Sequence, residues 1–186
     1  MWKRSAVVGF VVFAGVAAIA AVAQAPKPAA PAAAPVIMID TAKGVIEIEM
    51  QPQDAPKSVD HILALVRKDF YRGQRFYYVT GGVVQLGDPQ SRNLAIRAEW
   101  GKKGSGQPIG LTEFTKKSFV RGTLGLAYIN DPKMADSQFF IVKGDLSNQN
   151  GKYTMIGHVT KGMDVVDKIE LDDVVRLVSV KGEAKK

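Results

Sequence analysis

Asp136-Ser137-Gln138-Phe139-Phe140-Ile141-Val142-Lys143 places two adjacent rings and two β-branched residues between an amide side chain and a glycine turn. A short apolar run of this kind reads as a buried strand. Successive strand residues face opposite sides, so Gln138 and Phe140 share one face while Phe139 and Ile141 share the other. The first face is expected to set an amide beside a ring in a pocket, and the second to enter the core. Another segment, Phe76-Tyr77-Tyr78-Val79-Thr80-Gly81-Gly82-Val83-Val84-Gln85-Leu86-Gly87-Asp88, has the same mixture of rings, valines and one glutamine.

Outward from these two segments the chain is punctuated by short strand-like runs. Val36–Thr41 and Val45–Met50, joined through Ala42-Lys43-Gly44, form a hairpin candidate, the second run alternating apolar and acidic residues. Asp54-Ala55-Pro56 is a helix start, with an acid near the N-terminus and proline in the first turn. Val59, Ile62, Leu63 and Val66 then recur at helical spacing to about Lys68. Residues 89–118 show no sustained period, and a structureless stretch of that length in one domain is usually functional. Gly104-x-Gly106 within it lacks the flanking strand and helix of a phosphate cradle and reads as a loop. Leu124–Ile129, Asp136–Lys143, Tyr153–Val159 and Val174–Val180 read as strands, and Met163 to about Ile169 as a short helix. The fold class expected is mainly β: an antiparallel sheet closed on itself, with helices over its openings.

Composition narrows the chemistry. The 186 residues suffice for one domain and a tail. There is no cysteine, which removes disulfides, thiol nucleophiles and thiolate metal sites. His61 and His158 are isolated from each other, with no paired histidine or carboxylate at ligand spacing and no convincing context for an acid-held histidine, so neither a metal site nor a serine triad is expected, and no cofactor. The net charge of +7 is scattered in short lysine pairs, without the stripe that nucleic acid requires. Residues 1–23 have the layout of a signal peptide: Lys3 and Arg4, an uncharged run from Ala6 to Ala20, then Ala21-Val22-Ala23. Export, to the periplasm, is the expected localisation, and an uncleaved membrane anchor is the alternative. Residues 24–35, alanine with Pro26, Pro28, Pro31 and Pro35, read as an extended linker. Residues 36–180 are the folded domain and 181–186 a charged tail.

The ordered set Phe76-x-x-Val79, Gln85-Leu86-Gly87-Asp88, Arg121-Gly122-Thr123-Leu124, Ser137-Gln138-Phe139-Phe140-Ile141, Gly151-Lys152-Tyr153-Thr154 and Gly157-x-Val159 resembles the signature of the cyclophilins. The likeness runs from about Val36 to Val180. It implies an eight-stranded antiparallel barrel capped by two helices, peptidyl-prolyl cis-trans isomerase activity, and proline-containing polypeptides as partners of a monomer. By the same resemblance Gln85 and Tyr78 hold the catalytic positions. Phe76, Gly82, Val83, Ala127, Tyr128, Gln138, Phe140, Asn148, Gln149 and Tyr153 hold the substrate-binding ones. Phe140 would floor the proline pocket and Val83 wall it. Gln85 and Gln138 would grip the peptide backbone, and Ala127 and Tyr128 would meet the chain before the proline.

Several positions depart from the family pattern. Tyr78 stands where the family carries its catalytic arginine, and Tyr153 where it carries a pocket histidine. Gly82 falls at the pocket phenylalanine, and Asn148-Gln149 where many members have an apolar pair. A phenol offers one neutral donor where a guanidinium offers five in a charged fork. The activity implied is therefore a reduced isomerase, with a catalytically silent binding module for proline-containing segments as the alternative.

Overall fold

The computed structural model describes residues 33–184; the signal-peptide reading of 1–23 and most of the linker reading of 24–35 lie outside the described residues. β1 (Val36–Thr41) and β2 (Gly44–Met50) form the expected hairpin. Its register pairs Ile37 with Ile48 and Ile39 with Ile46, so all four isoleucines face one side and are fully buried. The period-2 pattern thus produces a core face directly. α1 (Pro56–Arg67) turns Val59, Ile62, Leu63 and Val66 into the same core.

α1 starts at Pro56, as Asp54-Ala55-Pro56 suggests, but the Asp54 carboxylate makes no capping bond; it pairs with Lys117 Nζ at 2.5 Å. Glu113, from the long connection, instead accepts hydrogen bonds from Lys57 N (3.1 Å) and Ser58 N (2.8 Å). A remote carboxylate satisfies amide groups that the first helical turn leaves orphaned.

The remaining strands are β3 (Tyr78–Val79), β4 (Val83–Leu86), β5 (Thr123–Leu126), β6 (Phe139–Val142), β7 (Thr154–Lys161) and β8 (Val175–Val180), with α2 (Met163–Lys168) before the last. They form one antiparallel sheet in the order β3-β4-β6-β5-β7-β2-β1-β8. The two edges meet through backbone hydrogen bonds between residues 73–76 and 172–175. These are Gly73 N to Val175 O, Val175 N to Gln74 O, Phe76 N to Asp173 O and Asp172 N to Phe76 O, all 2.8–3.0 Å. The sheet thereby curls on itself, as expected, with its apolar face inward.

Two expectations are corrected. The Phe76–Asp88 segment, strand-like in composition from its first residue, begins its strand only at Tyr78, because residues 73–76 turn away to make this seam. Residues 89–118 are not wholly irregular: Pro89–Arg92 and Leu94–Glu99 are short 3-10 helices, capped by Asp88 and Asn93 side chains accepting from Gln90 N and Ala95 N. Among the described residues no helix is long and apolar enough to cross a membrane.

Candidate active site

β6 separates two apolar clusters. Phe139 and Ile141 belong to the main core, whereas Phe140 and Val142 lie in a second cluster with Phe119, Ala127 and Met155. Gly125, the β5 residue paired with Phe140, makes room for that cluster. A Cβ there would come within 2.4 Å of the Phe140 ring and 2.7 Å of the Phe119 ring. The two rings stack at 6.0 Å, and Tyr153 meets Phe140 edge-on at 5.2 Å and Tyr128 at 5.0 Å. Rings held in these arrangements form a rigid apolar floor.

Above that floor is a hollow of about 310 Å³ lined by Phe140, Val83, Gly82, Ala127, Tyr128 and Tyr153, with Tyr78, Thr80, Gln85, Leu146 and Gln149 at its sides. Nine of the twelve residues singled out from the sequence therefore converge here. Register explains the key polar pair: Tyr78 on β3 is the direct partner of Gln85 on β4, and Gln85 is the partner of Phe140 on β6. Directly paired residues project to the same face. Tyr78 is 52% exposed, at the rim. Leu146 approaches to 3.9 Å of the point where a Cβ on Gly82 would sit, so a leucine occupies ground beside the missing ring. Burial, and secondarily Tyr128, raises the pKa of the Tyr153 hydroxyl above the usual phenol value.

Three sequence-predicted residues are not in the lining. Phe76 is fully buried in the main core. Asn148 sits in the 3-10 turn Ser147–Gln149, where neighbouring side chains diverge by about a third of a turn, so Gln149 alone faces the hollow. Gln138 stands behind the wall, 7% exposed, with both ends committed. Its Nε2 donates to Gly101 O (3.1 Å) and Lys103 O (2.8 Å), and its Oε1 accepts from Tyr77 Oη and Gln85 Nε2. It is not available to grip a peptide.

The structure adds residues that sequence spacing did not single out. Tyr77 bridges the two glutamines, donating to Gln138 Oε1 and accepting from Gln85 Nε2. Burial pushes its hydroxyl well above the usual phenol range, partly offset by the Gln85 hydrogen bond. His61, expected to lack an acidic partner, has one: its Nε2 lies 3.0 Å from Asp136 Oδ1. The same carboxylate accepts from Ser105 Oγ, Gly106 N and Gln107 N. Burial pushes the Asp136 carboxyl up, but hydrogen bonds from His61, Ser105 and Gly106 outweigh it and hold the pKa below the ordinary value. Ser105 bonds the acid and not the histidine, so this is a clasp on the loop and not a nucleophilic triad. Among the described residues no group of three or more metal-ligating side chains is present.

A family model described as cyclophilin type peptidyl-prolyl cis-trans isomerase/CLD matches residues 36–184. The chain is 41% identical over 138 residues to a Brucella suis protein named "Probable peptidyl-prolyl cis-trans isomerase", a match covering 72% of this chain and 70% of the relative. It is 33% identical over 135 residues to human peptidyl-prolyl cis-trans isomerase-like 3, covering 72% and 81% of the two chains. Among solved structures, a cyclophilin type isomerase of Cryptosporidium parvum, crystallised in the presence of the dipeptide Ala-Pro, superposes with a TM-score of 0.68 at 22% identity. That match covers 80% of this chain and 99% of the other, and at such identity it speaks for the fold alone. A curled eight-stranded sheet, an aromatic hollow on the outer face of β6, and a family match across nearly all the described residues agree: the chain belongs to the cyclophilin-type peptidyl-prolyl cis-trans isomerases.

Proposed function

We propose that this protein is an exported cyclophilin whose hollow holds proline-containing segments and twists the X–Pro bond at a reduced rate, with the Tyr78 phenol as donor. An unaided X–Pro bond takes tens to hundreds of seconds to isomerise, because amide resonance must be broken on the way through the twisted state. No covalent bond is made or cleaved. A site lowers this barrier by seating the ring, holding the flanking backbone, and offering a hydrogen-bond donor to the pyramidal nitrogen that appears only when resonance is lost. Phe140 and Val83 supply the seat, Gln85 the backbone contact and Tyr78 the donor.

The observation that carries the reduced rate is the make-up of the lining, which contains no lysine or arginine. Loss of one preorganised donor typically costs about 2.7–4 kcal/mol, or a hundred- to thousandfold in rate. The test is the isomerisation of an Ala-Pro peptide by the wild-type protein and by Tyr78→Arg. The variant is expected to be faster, by up to about a hundredfold. A wild-type rate that Tyr78→Arg fails to exceed overturns the reading.

The rim position of Tyr78 favours a second reading, a module that binds proline-containing segments without accelerating them, since water competes for an exposed donor. Saturable peptide binding with no wild-type acceleration selects it. Export rests on the residue pattern of 1–23. Sequencing the N-terminus of the protein recovered from fractionated cells tests it: a start near Gln24 outside the cytoplasm is expected, and a chain beginning at Met1 in the cytosol refutes it.

A further inference from the structure

We infer that Tyr77 is a positioning residue: through it and Gln138, the Gly101–Lys103 loop dictates which end of the Gln85 amide faces the hollow. This rests on the reading of that hollow as the proline site.

Two backbone carbonyls begin the chain of constraint. Gly101 O and Lys103 O lie 3.1 and 2.8 Å from one end of the Gln138 side chain. A carbonyl only accepts, so that end is the amide nitrogen, and both its protons are committed. Gln138 Oε1 is consequently turned towards Tyr77 and Gln85. The single Tyr77 proton goes to this oxygen. The end of Gln85 that lies 3.2 Å from the same oxygen must also be a donor, so it is Nε2, which reaches Tyr77 Oη as well. Only Gln85 Oε1 remains for the hollow. The wall thus shows peptides an acceptor, and an acceptor selects a backbone N–H. Proline has no N–H, so the group selected belongs to a flanking residue.

The loop that sets this polarity is itself fixed. Lys103 N donates to Asp88 Oδ2 at 3.2 Å, and Asp136 holds residues 105–107. The Tyr77 ring lies against Gly101, where a Cβ would come within 3.1 Å of it. An unrestrained glutamine at the rim would present either end at little cost; three linked side chains remove that freedom.

The experiment uses the full chain, its Tyr77→Phe and Gln138→Met variants, and two peptides. One is an Ala-Pro peptide, and the other is the same peptide with the N–H after proline replaced by an ester oxygen. The wild type is expected to prefer the N–H peptide by about tenfold in kcat/KM, the worth of one well-placed hydrogen bond. Tyr77→Phe should lose about that factor on the N–H peptide and treat both alike, with a modest drop in its unfolding midpoint. Hydrogen exchange at the Gln85 side-chain amide, followed by NMR, reads the relay without catalysis: slow in the wild type, fast in Tyr77→Phe and in Gln138→Met. Unchanged discrimination, or unchanged exchange in both variants, overturns the inference. Absent isomerisation alongside altered exchange refutes the proposed activity and leaves the relay standing.

Discussion

Among the described residues, the hollow over Phe140, about 310 Å³, and one between α1 and β8, about 320 Å³, are nearly equal in volume and built of opposite materials. The second carries Arg67, Asp69, Arg72 and Glu183. Its charges are spent on one another: Arg67 meets Glu183 at 2.7 Å, and Arg72 pairs with Asp69. All four are about half-exposed, where ion pairs contribute little and water competes. The first has no charge, a floor of locked rings, and one amide whose orientation is set from behind. Size does not distinguish the two; uncommitted polar atoms over a rigid apolar floor do.

The contrast is sharpest at Phe140. Phe140→Ala is expected to destabilise the fold by about 3 kcal/mol through the cavity it leaves beside Phe119. It should also reduce kcat/KM on an Ala-Pro peptide by about ten- to hundredfold, the worth of a lost aromatic contact. Denaturant titration and a rate assay read the two losses separately; a variant as active as the wild type would erase the distinction between the hollows. A smaller effect is expected behind the wall, where Asp136→Asn weakens the clasp on residues 105–107 by about 1.5 kcal/mol at neutral pH. The folded pKa of Asp136 is depressed, so its contribution is full above the unfolded carboxylate value of about 3.9 and is lost as pH falls through the folded value. Melting midpoints of wild type and variant should therefore differ most above about pH 5 and converge as the pH falls through the folded value. The smallest effect belongs to the second hollow: Arg67→Ala should leave the isomerisation rate unchanged and barely move the urea midpoint. A clear loss of rate there would show that the charged hollow serves the reaction.

What could be read from residue order was whatever depends on periodicity. The β1–β2 hairpin, α1 and the two-sided character of β6 follow from alternation of 2 or 3.6 along the chain. The resemblance added the site, and nine of its twelve residues meet around one cavity. Two of the three residues outside the lining share a cause, the loss of strand parity. Phe76 and Tyr78 lie two apart and would share a face on one strand, but β3 begins only at Tyr78, so Phe76 answers to the seam with residues 172–175. Asn148 and Gln149 are separated by a 3-10 turn. For Gln138 the parity was right; alternation could not reveal that carbonyls 35 and 37 positions away in the chain would cover it. The Tyr77 bridge and the His61–Asp136 contact were invisible for the same reason, joining residues 61 and 75 positions apart through side chains with no local signature.

The seam between residues 73–76 and 172–175 also bears on biogenesis. Until β8 is made, β1 is paired on one side only, with β2, and residues 73–76 lack their partner segment 172–175. Until then both borders of the sheet present bare amide and carbonyl groups to every other unfinished chain nearby. The chain is thus at its most aggregation-prone just before residues 172–180 emerge, and docking of β8 ends that exposure at both borders at once.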